Sequence, residues 1–249
     1  LIFTSNGVSF DFPSADGSNG QALVTNGSGV ISFADVAANT PSSADGQALG
    51  SASLEWSDLF LADGGTIQFG NDQEVRLIHN ADKGLLLKHT ATADDKPIIL
   101  TLQTGETDMA ANDVMGKIEF QAPDEGTGTD AVLVAAAIQA KSEGDFSSSS
   151  NATSLEFMTG ASEAATAKVR ITSAGHLVPT ADDSYDLGTS SLQWRDIYTG
   201  DLNLNNTRTR KNEVDGTSGS WTIQEGKDDL YLLNRLNNKK YKFNLTEMK

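Results

Sequence analysis

Hydrophobic and polar residues alternate in short runs through the middle of the chain, most regularly in Lys117–Gln121 and Lys168–Thr172. Because successive side chains of a strand point to opposite faces, this alternation predicts strands with one apolar face. The predicted strands are Thr66–Phe69, Glu74–His79, Leu85–His89, Pro97–Leu102, Met115–Gln121, Ala131–Ala140, Leu155–Met158 and Lys168–Thr172. The alanines of Ala131–Ala140 are also compatible with a helix, but the Val, Leu and Ile residues around them favour a strand.

A second set of alternating runs lies near the C-terminus. Trp221–Gln224, Leu230–Asn234 and Lys240–Leu245 are separated by the turn sequences 227–229 and 237–238. They predict a small antiparallel meander. Three strands of this length are barely stable alone. We therefore expect the meander to dock on another structure, most simply on two sister copies of the chain.

One segment of the chain occurs twice. Residues 41–63 align without gaps on residues 179–201, and nine of 23 positions are identical. The shared pattern Leu-Gly-x-x-Ser-Leu-x-Trp-x-Asp contains Trp56 and Asp58 in the first copy, and Trp194 and Asp196 in the second. A single unit is too short to bury its own Trp, so it must pack on neighbouring units or on other copies of the chain. We expect the two indoles to be largely buried and in equivalent settings.

Composition and charge exclude several classes of function. Ser, Thr and Gly make up more than a quarter of the 249 residues and aromatic residues only 7%, unlike a helical bundle or a compact enzyme core. With no Cys, the chain has no disulfides, zinc–thiolate sites or thiol catalysis. The net charge of −16 argues against a nucleic-acid partner. The longest apolar run, Ala131–Ile138, is far too short to insert across a membrane.

The charge is also unevenly distributed. Residues 1–75 sum to −9, residues 76–202 to −10 and residues 203–249 to +3. The change of sign predicts a separate C-terminal unit, the tip of the chain, in which Lys240 and Lys242 share one strand face. Two interpretations remain open. This face contacts an anionic surface, either a host glycan or a virion protein, or the lysines protect an edge strand from pairing with other chains.

Candidate catalytic and metal-binding groups are few. The three histidines lack the short spacing of metal ligands, so no metal or cofactor is predicted. The adjacent pairs Asp94-Asp95, Asp182-Asp183 and Asp228-Asp229 fall at predicted turns, where Asp is common. A glycosidase needs two facing carboxyls, which strand neighbours do not provide. The Gly64–Asp72 segment is similar to one calcium-binding β-helix repeat, but it occurs once and a plain hairpin is the better interpretation. We therefore expect no enzyme.

The tryptophans of the repeat have an alternative interpretation. Trp56 and Trp194 could serve as platforms on which sugars stack. Their shared place inside a repeat favours a shared structural role instead, because buried aromatic side chains dominate the energetics of packing.

The order of these motifs resembles virion fibres of tailed bacteriophages. The turn-rich unit Pro13–Asp35 is similar to linker repeats in tail fibres, especially those of phages that infect marine bacteria. The other segments that look like this family are Leu49–Asp63, Leu187–Asp201, Gly116–Phe120, Ile138–Ala140, Leu155–Phe157, Val169–Pro179 and Trp221–Glu247. Many such fibres end in a self-cleaving chaperone domain that begins Ser-Asp-x-Arg-x-Lys. Nothing in this sequence matches that motif, so self-processing at the C-terminus is not predicted.

The resemblance implies an all-β, elongated, intertwined homotrimeric fibre on the surface of the virion. The expected divisions are a repeat-built stalk (1–63), a central β-rich domain (64–178), the second repeat (179–202) and a C-terminal tip (203–249). The implied function is structural and adhesive: many weak contacts with a host-surface glycan or protein add up through multivalency. A head or collar fibre or adaptor, a polysaccharide-cleaving tailspike and a bacterial surface adhesin remain as alternatives.

Overall fold

The computed structural model describes the whole chain except residues 1, 6, 20, 36–47, 123–127, 209 and 249. The start of the first full repeat, residues 41–47, therefore lies outside the described residues. The described residues form sixteen strands in five antiparallel sheets, with one short 3-10 turn at Asp130–Val132. The all-β prediction is confirmed. Among the described residues, no helix is long and apolar enough to cross a membrane. The chain divides into two compact units, residues 1–98 and residues 99–249.

The first unit contains three small sheets. Two are hairpins, and the third is a three-stranded meander. The Gly64–Asp72 segment contains the first strand of this meander and most of the turn that follows it, so it is part of a plain hairpin. Gly70, in the turn of that hairpin, has a positive φ of 84°, which glycine adopts without strain. The strands are β1 (Ile2–Ser5) with β2 (Val8–Asp11), β3 (Gln21–Thr25) with β4 (Ile31–Asp35), and β5 (Thr66–Phe69), β6 (Val75–Asn80) and β7 (Gly84–His89).

The predicted strand Pro97–Leu102 is wrong. The structure describes this segment, and it has no strand pairing. Its apolar residues are consecutive rather than alternating, so the run does not specify one buried face. Leu102 instead lies against the backbone of Gly116, where an added Cβ would come within 2.8 Å of the Leu102 Cβ. The segment is therefore held by a side-chain contact and not by a strand ladder.

The second unit contains a five-stranded antiparallel sheet. Its strands are β8 (Val114–Gln121), β9 (Val134–Ser142), β10 (Thr153–Thr159), β11 (Thr166–Ile171) and β12 (Leu177–Pro179). Each strand pairs with the next along the chain. The alanine run lies in β9, so the choice of strand over helix is confirmed, although the strand begins at Val134 rather than Ala131.

The C-terminal meander has four strands instead of the three predicted. They are β13 (Asp201–Asn205), β14 (Ser220–Glu225), β15 (Leu230–Asn234) and β16 (Lys240–Lys242), paired in that order. The extra strand β13 has the alternating sequence Asp-Leu-Asn-Leu-Asn. The boundary at residue 203, which the change of charge predicts, falls inside this strand. The sheet thus begins at the last residue of the second repeat.

Glu143 ties the end of β9 to the turn after β11. Its carboxylate accepts hydrogen bonds from the hydroxyl and the backbone N–H of Ser173. These bonds hold the pKa of Glu143 below its ordinary value of 4.5. Because the folded pKa is lowered, the stabilisation is present above the unfolded pKa and is lost as the pH falls through the folded one. A carboxyl NMR titration should show the low pKa, and Ser173→Ala should return it toward 4.5.

Candidate assembly surface

The strand register places most of the large apolar side chains of the five-stranded sheet on one face. Ile138 on β9 lies opposite Ile118 on β8 and opposite Phe157 on β10, and Phe157 in turn lies opposite Val169 on β11. Directly opposed residues of antiparallel strands share a face. We call this the open face; it consists of Ile118, Phe120, Ala136, Ile138, Ala140, Leu155, Phe157, Val169 and Ile171.

Most of the open face is uncovered in the single chain, although Leu102 packs on it at Gly116, which lies opposite Ala140. The side chains of Ile118, Phe120 and Phe157 are 48%, 54% and 40% exposed. A sheet with one solvated face normally turns its polar side to water and packs its apolar side on a core. Large contiguous exposed apolar patches of this kind mark sites of protein–protein contact.

The opposite face of the same sheet is polar and yet holds its most buried side chains. Across the strands run Lys117, Gln139, Glu156 and Arg170 in one row. The amide nitrogen Nε2 of Gln139 donates to Oε2 of Glu156 at 2.7 Å, and both residues are buried. Ala137, on this polar face, is the one buried hydrophobic residue among the described residues. The sheet therefore has no apolar core of its own.

The total exposed surface leads to the same conclusion. The chain exposes 20,505 Å². A compact protein of its 26.3 kDa would expose about 10,600 Å², and two separate compact domains with the sizes of its units about 13,000 Å². The single chain thus leaves exposed much of the surface that a compact chain of its size buries within itself.

The two copies of the repeat have the same local structure. Gly50 and Gly188 both adopt positive φ, 82° and 89°. The backbone N–H of the following residue donates to the carbonyl oxygen of Leu54 at 3.0 Å in the first copy, and to that of Leu192 at 2.8 Å in the second. In each copy the edge of the indole lies over the glycine, so that an added Cβ would meet the Trp Cδ1 at 3.2 Å or 3.4 Å. The two indoles therefore have the same local surroundings within one chain.

The expected burial of the two indoles is not reached within one chain. Trp56 is 68% exposed and Trp194 is 63% exposed. The turn holds one edge of each ring against a glycine and leaves most of the ring exposed. The other apolar positions of the repeat are equally exposed in both copies: Leu49 and Leu187, Leu54 and Leu192, Leu59 and Ile197, Phe60 and Tyr198. In the first copy, Leu49, Leu59 and Phe60 line a hollow of about 460 Å³ together with Trp56.

The glycine in the turn of each repeat allows a direct test of the geometry of the turn. Gly50→Ala or Gly188→Ala should destabilise the repeat by about 1–2 kcal/mol, because a residue with a Cβ is strained at this φ and the new atom meets a carbonyl oxygen 3.0 Å away. Thermal unfolding would measure the loss. Gly200→Ala is the matched control, since its φ is not positive and its Cβ would meet no atom within 4 Å. Equal midpoints for all three variants would contradict the prediction.

The aspartates of the repeat and the C-terminal lysines make only local contacts. Asp58 accepts a hydrogen bond from Ser57 at 3.0 Å, and Asp196 pairs with Arg195 at 3.1 Å. Lys242 lies 2.8 Å from Asp229, which raises the pKa of the lysine. Lys240 is exposed on β16, which is an edge strand of its sheet. Both interpretations of these lysines therefore stay predictions.

The carboxylate pairs lie at turns, as predicted. The backbone N–H of Asp95 donates to Asp94 at 3.1 Å, and both Asp95 and Asp183 have positive φ. Asp182 and Asp183 each form an ion pair with an arginine. No group of three or more His, Asp or Glu side chains that could hold a metal is found in the part of the chain that the structure describes.

Comparison with known proteins adds one distant likeness. No family model matches the chain, and no curated protein matches it. One similar solved structure is the carboxy-terminal domain of the bacteriophage T5 L-shaped tail fibre with its intramolecular chaperone domain. The two share 19% identity with a TM-score of 0.31, over 66% of this chain and 36% of that one. The chain thus spans about a third of the length of that structure.

Proposed function

We propose that the chain is a β-rich part of a homotrimeric virion fibre of a tailed phage, of the type found in phages of marine bacteria. Its role is structural and adhesive. The observation that carries the assembly is the open face, on which Ile118, Phe120 and Phe157 are 40–54% exposed in the single chain. Burying apolar surface is worth about 25 cal/mol per Å², so three copies that bring their open faces together gain what one chain lacks.

The two repeats support the same assembly. Each presents the same exposed Leu, Trp and aromatic side chains, and surfaces repeated along a chain are suited to packing on sister copies. The number of three copies and the place on a phage particle come from the order of motifs in the sequence, which resembles that of phage fibres. An intertwined trimer would place Trp56 and Trp194 between chains.

We propose that this fibre attaches the particle to a host-surface glycan or protein by multivalent contact and has no hydrolase activity. The Asp182 and Asp183 carboxylates form ion pairs with arginines and the Asp229 carboxylate with Lys242, so these turn residues are engaged in contacts within the chain. A glycosidase needs two facing carboxyls across a sugar instead. Release of reducing ends from host polysaccharide, lost on mutating one of these pairs, would contradict this and favour the tailspike alternative.

Antibodies raised against the purified chain test its place on the particle. Electron microscopy of labelled virions should show the label on fibres that project from the tail. Label confined to the head or collar would support the alternative of a head fibre or adaptor. Particles without any label would overturn a virion role altogether. In a second measurement, the purified protein should compete with particles for adsorption to host cells; absence of competition would remove the adhesive role and leave the structural one.

A further inference from the structure

The four-stranded C-terminal sheet also has an apolar face, which we call the tip face. Leu204 on β13 lies opposite Trp221 on β14. The neighbouring row on the same face crosses all four strands and consists of Leu202, Ile223, Leu232 and Tyr241. On the two outer strands Leu202, Leu204 and Tyr241 are 48%, 50% and 46% exposed. The apolar side chains of the tip face are therefore exposed at both edges of the sheet.

Both edges of this sheet are free. β13 pairs only with β14, and β16 pairs only with β15. Among the described residues, 202–204 and 240–242 make no backbone hydrogen bond outside the sheet. A row of unpaired N–H and C=O groups at an edge is a template for a strand of another chain. The sheet thus offers two pairing edges, each with exposed apolar side chains beside it.

The two edges carry complementary charge on the face opposite the tip face. One polar row begins at Asp201 on β13 and ends at Lys242 on β16, and the next polar row ends at Lys240. Asp201 accepts a hydrogen bond from Gln224 at 3.0 Å, and Lys242 lies 2.8 Å from Asp229. Lys240 has no ion pair within the described part of the chain. An acidic edge and a basic edge on one face favour contact between unlike edges, because opposite charges across neighbouring strands attract.

The strand directions allow such a contact to close into a ring. Every pairing in the sheet is antiparallel, so the first and last of its four strands run in opposite directions. Rotation about an axis along the strands keeps these directions. β16 of one copy therefore meets β13 of the next copy antiparallel, as within the sheet itself. A contact between unlike edges forms a closed ring when the rotation closes, and a closed ring has no edge left.

We propose that β16 of one chain pairs with β13 of the next chain around a threefold axis. Asp201 of one copy then lies beside Lys240 and Lys242 of the next on the outer face, and the three tip faces are enclosed. This inference rests on the proposed trimer and identifies the edges through which the C-terminal sheets join. The two lysines contact the acidic edge of a sister chain and not a host surface.

The test is a disulfide between the two edges, since the chain has no Cys of its own. Within one chain these edges are three strand spacings apart, about 14 Å, which is beyond the Cα separation of about 7 Å that a disulfide spans. A disulfide between them must therefore join different chains. Asn203→Cys with Lys240→Cys tests the level register. The other two double variants, Asp201→Cys with Lys240→Cys and Asn203→Cys with Lys242→Cys, test a shift of two residues in either direction.

Mild oxidation should convert most chains of at least one double variant into a covalent trimer on a non-reducing gel, and a reductant should reverse it. Asn203→Cys with Lys227→Cys is the matched control, because Lys227 is exposed in the turn between β14 and β15 and lies on neither edge. This control should give no covalent trimer. Asn203→Cys alone should give no covalent dimer, because like edges do not meet in the proposed ring.

Light scattering of the reduced proteins separates failure of this inference from failure of the fibre proposal. A trimer in which none of the three double variants forms more covalent trimer than the control overturns the edge pairing and leaves the fibre proposal standing. Covalent dimers of Asn203→Cys alone would show that like edges meet, which also contradicts the pairing of β16 with β13. A protein that stays monomeric overturns both proposals.

Discussion

Phe157→Asp is expected to abolish assembly and leave monomeric or unfolded chains. Phe157 lies at the centre of the open face, opposite Ile138 and Val169. In a trimer that joins three open faces, the variant buries three carboxylates without partners, and each costs several kcal/mol in desolvation. In a chain that works alone, a residue already 40% exposed would tolerate the change far better. Sedimentation at micromolar concentration measures the difference.

Ser148→Asp is the control for that experiment. Ser148 is exposed in the turn between β9 and β10, so it adds the same charge away from the open face. Its mass and thermal midpoint should match those of the unchanged protein. If Phe157→Asp assembles as well as Ser148→Asp does, the open face is not the contact between chains.

Trp56→Ala and Trp194→Ala are each expected to lower the free energy of unfolding of the assembled protein by about 3–5 kcal/mol per chain, the usual cost of removing a buried aromatic side chain. The two losses should be similar, because the two turns have the same geometry. Within a single chain each indole is about two-thirds exposed, and its removal would then cost about 1 kcal/mol or less. Denaturant unfolding of the assembled protein separates these values.

The conservative changes Trp56→Phe and Trp194→Phe serve as controls and should recover most of the loss, since a phenyl ring keeps much of the apolar contact. Losses near the single-chain value in both alanine variants would show that the repeats remain exposed in the assembly. The apolar positions of the repeat would then be available to some other partner.

Alternation of side chains predicted most of the fold. It located Lys117–Gln121 and Lys168–Thr172 because each shows one apolar and one polar face. It was wrong for Pro97–Leu102, where three consecutive apolar residues carry no period. It missed β13 because the two leucines of Asp201–Asn205 are flanked by residues typical of turns.

The candidate surfaces needed the structure. Alternation gives two faces to a sheet, but it does not say which face is covered; here the row with Gln139 and Glu156 is buried and the row with Phe157 is open. The repeat predicted that Trp56 and Trp194 share a setting, and burial was then inferred from residue type alone. Their exposure in one chain could not be read from the sequence, because it depends on what packs against them.

Sedimentation equilibrium of the purified chain at micromolar concentration decides between a trimer and a monomer. We expect one species of three times 26.3 kDa, about 79 kDa, with the circular dichroism of a β-rich protein. A stable, folded species of 26.3 kDa with its open face in solvent would contradict it.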